Sequence, residues 1–563
     1  MIYHCEDHTC NYWDEGEKLP ERCPQCGRKL LRANETDMTG DDWTALGNTL
    51  WDAEASDKKR MVDCFRKAAY LGSAWGVCNL GICMEQGNGV EADPVQAFWL
   101  YQQAVEMGSL NAVCCLGVCY QYGIGTAPDA EKAAELYCKA AEYGSPRGQM
   151  LLARAFHDGI GVEADAAEAV HWVRAAAYQR YGEGMYRLGV CYEYGDGVEQ
   201  NWEHAVHWFR EAAESGVSTA MTDLGYCYEK GCGVEQSWEQ AFSWYRRGAE
   251  CGYPVSMSNL GLCYKRGYGV EQNWQEAIKW YEQGAQCGDL QSMHNLACCY
   301  ERGEGVEQNE DRALYWYRRG AEAGSVHCMF CLGWNYSNGE GVEQNMTEAI
   351  RWYTAAAEGG NADAMHNLGW HYDHGEGVEQ DMKKAICWYE RAAEQNHPAA
   401  MNSLGECYAM GRGVPRDLET AMEWYRRAAE LGEAMADYNM GWHLEQAGKL
   451  SEAYAHYRKA ADGNDDSAWW ALGRFYENGV VVAQDGKEAR RCYETGEKLG
   501  SVKCKMRLAR CKLLGIGGRR AKKAGLDLCR QALELAKESS EKEDYGYEAE
   551  MNLLRRTIAE NES

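Results

Sequence analysis

Four cysteines near the N-terminus have the pairing that a tetrahedral metal site requires. Cys5 and Cys10 form one pair, and Cys23 and Cys26 form a second pair after twelve intervening residues. Two pairs of thiolates at this spacing can bind one zinc ion through four sulfur atoms. Because four protein ligands leave no open coordination position, we predict a structural Zn²⁺ rather than a catalytic one. Iron or redox use, and the absence of any metal, are the alternatives.

The segment that carries these cysteines, residues 1–34, has almost no apolar core of its own. We therefore expect its folding to depend on metal binding. The run Cys-Pro-Gln-Cys-Gly at residues 23–27 resembles a zinc-ribbon or rubredoxin-like knuckle, and His4 or His8 is an alternative ligand in place of one cysteine. Residues 1–34 are accordingly predicted to form a small zinc-ribbon-like module.

Few other residues have the spacing of a catalytic centre. His366, His371 and His374 accompany Asp373 on one predicted helix. We interpret them as packing or groove residues, with a His–Asp metal or acid–base site as the alternative. The sequence contains no H-E-x-x-H motif, no G-x-x-x-x-G-K-[ST] motif and no Ser/His/Asp order. We therefore predict that the protein is not an enzyme.

A leucine, nearly always followed by glycine, returns every 36 residues through most of the chain. The series is Leu80, Leu116, Leu152, Leu188, Leu224, Leu260, Leu296, Leu332, Leu368, Leu404 and, with methionine in its place, Met440. Shorter steps add Leu46 and Leu472, and Leu508 closes a series of about 14 units. A period of this length predicts a solenoid of stacked helical repeats.

Each unit has the pattern of two helices joined by a glycine-containing loop. Met221, Leu224 and Tyr228 form one apolar stripe, and Ala241 begins a second stripe with the same helical spacing. Predicted N-caps of the second helices are Ser237, Asn273, Asn345 and Asp381, with Glu276 and Glu348 completing capping boxes. The loop G-x-G-V-E-Q follows a helix and recurs in nearly every unit. We therefore interpret it as architecture rather than as a phosphate-binding loop.

These features resemble the Sel-one-like repeat, a relative of the tetratricopeptide repeat with a longer loop. Residues 220–234 carry the pattern A-M-x-x-L-G-x-x-Y-x-x-G-x-G-V, and residues 424–429 carry W-Y-x-x-A-A. The resemblance covers residues 41–537 and implies a right-handed α-solenoid that acts as a scaffold or adaptor for proteins or peptides. The units at Leu46 and Met440 look more like tetratricopeptide repeats. Residues 538–563 lose the pattern and are predicted to form a capping helix.

We number positions in each first helix from the repeating leucine, which is position zero. Positions −2, −1, +2 and +5 are predicted to line a concave groove. Candidate partner-binding residues are Asn259, Asn295, Asn367 and Asn439 at −1, Tyr226, Trp334, Trp370 and Trp442 at +2, and Glu193, Glu229, Glu301 and Asp373 at +5. In tetratricopeptide relatives an Asn at the matching position binds an extended peptide backbone, and aromatic residues anchor many interfaces. Local hydrogen bonding and packing of these side chains are the alternatives.

Cysteines at position +3 form a ladder that we interpret as packing. Neighbouring first helices are about 10 Å apart, whereas a disulfide needs Cα atoms within about 7 Å. Some secreted, cysteine-rich members of the resembled family are linked to β-lactam binding, which makes a hydrolase of that type the alternative function. Their bridging cysteines are replaced here by residues such as Ala213 and Met221.

The charge balance restricts the class of partner. Fifty-eight Lys and Arg against 86 Asp and Glu give a net charge of −28. Nucleic acids and anionic membranes favour a basic face, so we predict a protein or peptide partner with a basic or neutral surface. The sequence has neither an apolar run long enough to span a membrane nor a secretory signal, which favours the cytoplasm.

The predicted zinc site can be tested by metal analysis of the isolated segment 1–34 under reducing conditions. We expect one zinc ion per chain, because the segment depends on the metal for folding. Less than about half an equivalent of zinc would contradict the prediction, since one closed four-cysteine site holds a full equivalent.

Overall fold

The computed structural model describes residues 2–5, 13–15, 30–33, 38–51, 55–542 and 548–562. The chain divides into two compact units, Met1–Ser292 and Met293–Ser563. Each unit is considered by itself below.

Three short strands form an antiparallel sheet in the order β2-β1-β3: β1 (Ile2–Cys5), β2 (Trp13–Glu15) and β3 (Leu30–Ala33). Ile2 pairs with Glu15 on one side and with Ala33 on the other. Of the four predicted zinc ligands, Cys5 is described through its backbone alone, and Cys10, Cys23 and Cys26 lie outside the described residues. The zinc site therefore stays a prediction.

The rest of the described chain is helical. The helices of the first unit are α1 (Gly40–Thr49), α2 (Ala55–Tyr70), α3 (Ala74–Gln86), α4 (Pro94–Glu106), α5 (Leu110–Tyr122), α6 (Ala130–Glu142), α7 (Pro146–Asp158), α8 (Ala166–Tyr178), α9 (Gly182–Tyr194), α10 (Trp202–Glu214), α11 (Ser218–Lys230), α12 (Trp238–Glu250), α13 (Pro254–Arg266) and α14 (Trp274–Gln286). The unit boundary falls within α15 (Leu290–Arg302).

The helices of the second unit follow the same alternation. They are α16 (Glu310–Glu322), α17 (Val326–Asn338), α18 (Met346–Glu358), α19 (Ala362–His374), α20 (Met382–Glu394), α21 (Pro398–Met410), α22 (Leu418–Glu430), α23 (Ala434–Gln446), α24 (Leu450–Asp462), α25 (Asp466–Asn478), α26 (Gly486–Lys498), α27 (Val502–Leu514), α28 (Lys522–Lys542) and α29 (Glu548–Glu562). Helices α1 to α28 form fourteen consecutive pairs, as predicted from the period. An all-helical repeat solenoid is thereby confirmed for the described residues after 37.

The glycine loop ends one helix and places the next. After α11, Gly231 has φ 75° and its amide donates to the Cys227 carbonyl, a left-handed turn that favours glycine. Gln236 donates from Nε2 to the Glu229 carbonyl at 2.8 Å, which satisfies another free carbonyl at the end of α11. The Ser237 side chain then caps α12 by accepting from the Gln240 amide. The loop is therefore structural, as the sequence predicted.

The second loop glycine fixes the distance to the preceding repeat. A Cβ atom on Gly233, which has φ 67°, would lie 2.4 Å from the carbonyl oxygen of Trp202, the first residue of α10. Gly269 is packed in the same way against the carbonyl oxygen of Trp238 at the start of α12. A side chain at either position would push the two repeats apart.

The predicted N-caps are present, but the predicted capping boxes are wrong in their second half. Asn273 accepts from the Glu276 amide and Asn345 accepts from the Glu348 amide. The two glutamate side chains do not return to the caps: Glu276 lies 3.4 Å from Lys279, and Glu348 lies 3.3 Å from Arg351. A cation one turn further along the helix takes the carboxylate instead.

The core of most repeats is an aromatic ring packed on a glycine backbone. In one unit, a Cβ atom on Gly225 of α11 would lie 2.6 Å from the Tyr245 ring of α12. The twelve largest fully buried side chains are all rings at this position: Phe65, Tyr101, Tyr137, Phe209, Tyr245, Tyr281, Tyr317, Tyr353, Tyr389, Tyr425, Tyr457 and Tyr493. The glycine after the repeating leucine therefore allows the two helices of a pair to approach closely.

Repeats stack through both of their helices. Within each unit, first helices pack on their own second helices, as in α9 with α10, and second helices pack on the next first helix, as in α8 with α9 and α10 with α11. First helices also contact one another directly, for example α3 with α5 and α5 with α7. At the C-terminal end α29 packs on α27 and α28. The sequence placed the start of the cap at residue 538, whereas α28 continues to Lys542 and α29 is a separate helix.

The described cysteines are free thiols; most of them are buried in the core, whereas Cys251, Cys287 and Cys387 are exposed. Burial raises the pKa of Cys119, Cys227 and Cys263 at position +3 to about 12, so these thiols stay protonated at neutral pH. This agrees with the packing interpretation of the ladder. No described helix is both long and apolar enough to cross a bilayer.

The glycine–ring contact can be tested by changing Gly225 to Ala. We expect the free energy of local opening of α11 and α12, measured by hydrogen exchange, to fall by about 1–3 kcal/mol, because the new methyl group overpacks the Tyr245 ring. Ser243→Ala on the exposed side of α12 serves as the control and should change local stability by less than about 0.5 kcal/mol. Equal protection in the two variants would show that the ring does not need the glycine.

Candidate partner-binding face

In each unit taken by itself, we call the surface formed by positions −1, +2 and +5 of the first helices the first-helix face. Position −2 was also predicted to belong to it, but Cys78, Thr222 and Ser258 at this position are buried. Thr222 Oγ1 lies 2.5 Å from Ser256 Oγ of the next first helix. That part of the prediction is wrong at these positions, because position −2 faces the neighbouring repeat.

The predicted aromatic residues at +2 reach solvent. Tyr226 in the first unit is 44% exposed, and in the second unit Trp334, Trp370 and Trp442 are 47%, 37% and 38% exposed. The Trp370 ring stacks on His374 with 4.3 Å between ring centroids, which restricts its orientation. These side chains present large apolar surfaces that the repeats themselves do not cover.

The predicted asparagines at −1 are half-buried, and some are already hydrogen-bonded within the protein. Asn439 Nδ2 donates to Asn402 Oδ1 at 3.0 Å and to Glu406 Oε1 at 3.2 Å. Asn367 hydrogen-bonds to Tyr353. Asn259 and Asn295 are half-buried at the matching positions of their repeats. Local bonding, which the sequence left open, therefore engages Asn439 and Asn367.

Most acids at +5 serve the core ring of their own repeat. The Tyr245 hydroxyl donates to Glu229 Oε2 at 2.9 Å, and the Tyr317 hydroxyl donates to Glu301 Oε2 at 3.2 Å. The same bond joins Tyr101 to Glu85, Tyr457 to Glu445 and Tyr493 to Glu477. Sequence reasoning missed this role, although Glu and Tyr recur together, usually 16 residues apart. The row of acids therefore satisfies buried hydroxyl groups.

In the second unit, arginines neutralise several of these acids. Asp373 is only 4% exposed at its side chain, and its Oδ1 lies 2.8 Å from Nη1 of Arg412. Glu445 lies 3.0 Å from Arg474, and Glu477 pairs with both Arg507 and Arg510. The acidic groove predicted from the sequence is thus largely neutralised at these positions.

One part of the first unit keeps its acids free of cations. Ring position 209 is Phe rather than Tyr, so Glu193 has no core hydroxyl to accept from. Burial and the nearby charge of Asp223 raise the pKa of Glu193. Burial also raises the pKa of Asp223, despite a hydrogen bond from Tyr186. No described Lys, Arg or His lies within ion-pair distance of either carboxylate.

Two exposed tyrosines flank these carboxylates. Tyr194 is 73% exposed, and the charge of Glu193, which is its first neighbour in the chain, raises the pKa of its hydroxyl. Asp223 and Tyr226 are also within electrostatic range of Tyr194. We call Glu193, Asp223, Tyr194 and Tyr226 the acid–aromatic cluster. It combines negative charge with aromatic faces, the combination that binds an organic cation.

The histidines singled out by the sequence do not converge on one site. His371 Nδ1 lies 3.2 Å from the Glu376 carbonyl oxygen, and His374 stacks on Trp370. His366 stacks on His397, and burial lowers its pKa to about 4, which keeps it neutral. Among the residues that the structure describes, no group of three or more His, Cys, Asp or Glu is arranged to hold a metal ion.

Comparison with known proteins gives one family. The Sel1 repeat model matches residues 76–109, 112–145, 146–181, 182–217, 218–253, 254–289, 290–325, 326–361, 362–397, 398–433, 434–465 and 468–501. These twelve matches cover well over half of the chain and correspond to consecutive helix pairs. No match was found among curated proteins.

Two solved structures are similar to this chain. A protective antigen present in uropathogenic Escherichia coli strains and displaying an SLR fold is 29% identical, with a TM-score of 0.55, covering 76% of this chain and 94% of its own. A Sel1 repeat protein from Oxalobacter formigenes is 32% identical, with a TM-score of 0.40, covering 43% of this chain and 96% of its own. The first of these likenesses supports the helical repeat fold.

The structural role of the +5 acids can be tested with a double-mutant cycle on Glu229 and Tyr245. We expect Glu229→Gln and Tyr245→Phe each to lower local stability by about 0.5–1.5 kcal/mol, and their effects to be non-additive because they remove the same hydrogen bond. Hydrogen exchange of α11 and α12 measures both effects.

Glu193→Gln is the matched control for this cycle, because its neighbour Phe209 offers no hydroxyl. The folded-state pKa of Glu193 is raised, so ionisation at neutral pH opposes folding and its neutralisation should cause no loss of stability. Equal losses at Glu229 and Glu193 would contradict the assigned role of the tyrosine hydroxyl.

Proposed function

Because the chain belongs to the Sel1 repeat family, we propose that it is a scaffold that binds a protein or peptide partner on its first-helix face. Its exposed side chains supply recognition rather than chemistry. Repeat solenoids offer extended surfaces for such binding, since each repeat adds a similar strip of side chains.

The acid–aromatic cluster is the observation that carries the proposal. Glu193 and Asp223 are partly desolvated, and each carries a pKa raised by burial. A Lys or Arg side chain placed between them would remove their mutual repulsion and replace part of their lost hydration. The exposed face of Tyr194 would add cation–π attraction, whereas the Tyr226 ring already has Lys230 Nζ 5.8 Å from its centroid. The partner class is therefore a peptide or protein segment with an exposed basic residue.

The second unit offers a different kind of contact. Its acids Asp373, Glu445 and Glu477 are already paired with arginines, so charge contributes less there. Trp334, Trp370 and Trp442 instead offer exposed aromatic surface of the type that anchors interfaces. Apolar side chains of the partner are expected at this unit.

Two further parts of the proposal concern cofactor and compartment. A Zn²⁺ ion bound by Cys5, Cys10, Cys23 and Cys26 would hold the N-terminal module together. The many free cysteines among the described residues suit a reducing compartment, and we propose the cytoplasm.

Selection from a random-peptide display library tests the cluster directly. We expect peptides selected by the wild-type protein to be enriched in Lys or Arg, and their affinity to fall at least about tenfold in Glu193→Gln/Asp223→Asn, a loss of about 1.4 kcal/mol. The variant should keep its helical circular dichroism, since neither carboxylate stabilises a neighbouring repeat through an ion pair.

Glu199→Gln/Glu235→Gln is the matched control. These glutamates lie in exposed loops and the change removes the same two charges, so peptide binding should be nearly unchanged. Equal weakening in both variants would mean that only the net charge of the protein matters. Absence of basic residues among selected peptides would overturn the partner class, and turnover of nitrocefin by the purified protein would overturn the scaffold assignment.

A further inference from the structure

One repeat of the first unit lacks the ring that forms the core of the others. Helix α8 has Val173 where the neighbouring repeats have Tyr137 and Phe209. Its partner helix α7 has Ala153 in place of the glycine after the leucine, and His157 at position +5. The ring, the glycine and the acid are therefore replaced together in a single repeat.

A cavity of about 610 Å³ lies at this repeat. Ala153, Val173 and His157, which stand at the positions of the glycine, the ring and the acid of other repeats, all belong to its wall. Met150, Val170 and Val190 supply apolar wall. Its volume falls within the range of roughly 300–1,000 Å³ that is typical of small-molecule sites.

The acids on the cavity wall already have cationic partners. Asp158 lies 3.3 Å from Arg154 and 2.7 Å from His157. Asp196 lies 3.2 Å from His157. Arg187 lies 2.8 Å from Glu183 on the same helix, α9. These pairs leave no carboxylate of the wall for a further cation.

Arg147 is the remaining charge on the wall. It is half-buried, and within the described residues no carboxylate lies within ion-pair distance of it. Its Nη1 atom lies 3.6 Å from the Sγ atom of Cys115 on the neighbouring first helix, and a hydrogen bond with Cys78 together with the charge of Arg147 lowers the pKa of Cys115 to about 7. While Cys115 is protonated, this partly desolvated guanidinium group has no counter-charge, which is costly, and a bound anion would offset that cost.

We propose that this cavity binds an aromatic carboxylate, with the ring in the space left by Val173 and the carboxylate on Arg147. The site goes beyond the proposed scaffold function, since it lies outside the acid–aromatic cluster and requires the opposite charge. The ligand is either a free aromatic acid or the C-terminal aromatic residue of a polypeptide, which share this chemistry.

Calorimetric titration of the full-length protein with 3-phenylpropionate tests the site. We expect saturable binding of one equivalent, and at least about tenfold weaker binding of 3-phenylpropionamide, which keeps the ring and loses the charge. Inorganic phosphate should not displace the ligand at equal concentration. The proposal would be overturned if neither the free aromatic acid nor a peptide with a C-terminal aromatic residue bound. It would also be overturned if phosphate displaced the ligand as effectively as the aromatic acid does.

Ala153→Gly/Val173→Tyr restores the glycine–ring pair of the other repeats and fills the cavity. We expect this variant to lose binding while its melting temperature stays equal or rises, so loss of binding would not reflect unfolding. Arg147→Gln should keep the cavity and weaken binding at least about tenfold, since only the guanidinium charge is removed. Unchanged affinity in the cavity-filled, folded variant would contradict the proposal.

Cys115→Ser is a control that removes the thiol beside Arg147 and should retain binding. The peptide Gly-Gly-Phe with a free C-terminus, measured beside its amide, distinguishes the two sources of the ligand. Tighter binding of the free peptide than of 3-phenylpropionate indicates a chain end. Tighter binding of 3-phenylpropionate indicates a free acid. Glu193→Gln/Asp223→Asn should leave this binding intact, which separates the result from the test of the scaffold function.

Discussion

The contact between an aromatic ring and a glycine backbone determines how the two helices of most repeats fit together. Tyr245 lies on Gly225 without an intervening side chain, so α11 and α12 approach closely along one line. Burying a tyrosine also buries its hydroxyl, which must find an acceptor. Glu229 supplies it at the end of α11. The sequence suggests Glu229 as a recognition residue, but the buried hydroxyl of Tyr245 already requires an acceptor at this position.

Much of this architecture follows from local rules. The period of 36 residues, the apolar stripes, the glycine turns and the N-caps depend on residues close together in the chain, and all were predictable. Contacts between residues far apart in the chain were not predictable in this way. Arg412 lies 39 positions from Asp373, yet it neutralises that carboxylate and changes the character of the face. Likewise, Glu229 looks like a surface charge in the sequence, but in the structure it accepts a hydrogen bond from the buried Tyr245 hydroxyl.

Both proposed sites occur in repeats that lack the tyrosine found at the core position of most second helices. Phe209 keeps the ring but lacks the hydroxyl, so Glu193 is left to interact with Asp223 and the surrounding tyrosines. Val173 lacks the ring as well, and a cavity with an arginine in its wall takes its place. A repeated structure makes such departures easy to recognise, because the neighbouring repeats show what each position does when it serves folding alone.

The second loop glycine has a consequence for how such a chain grows. Gly233 rests on the backbone of Trp202 in the preceding repeat, so each loop is matched to the start of its neighbour's second helix and to nothing further away. Duplication of a whole 36-residue segment recreates that match at both new junctions, whereas insertion of a few residues into one loop breaks it. Growth by whole repeats therefore preserves these junctions, whereas the shorter loop between α23 and α24 lacks such a contact, since no atom lies within 4 Å of a Cβ built on Gly448.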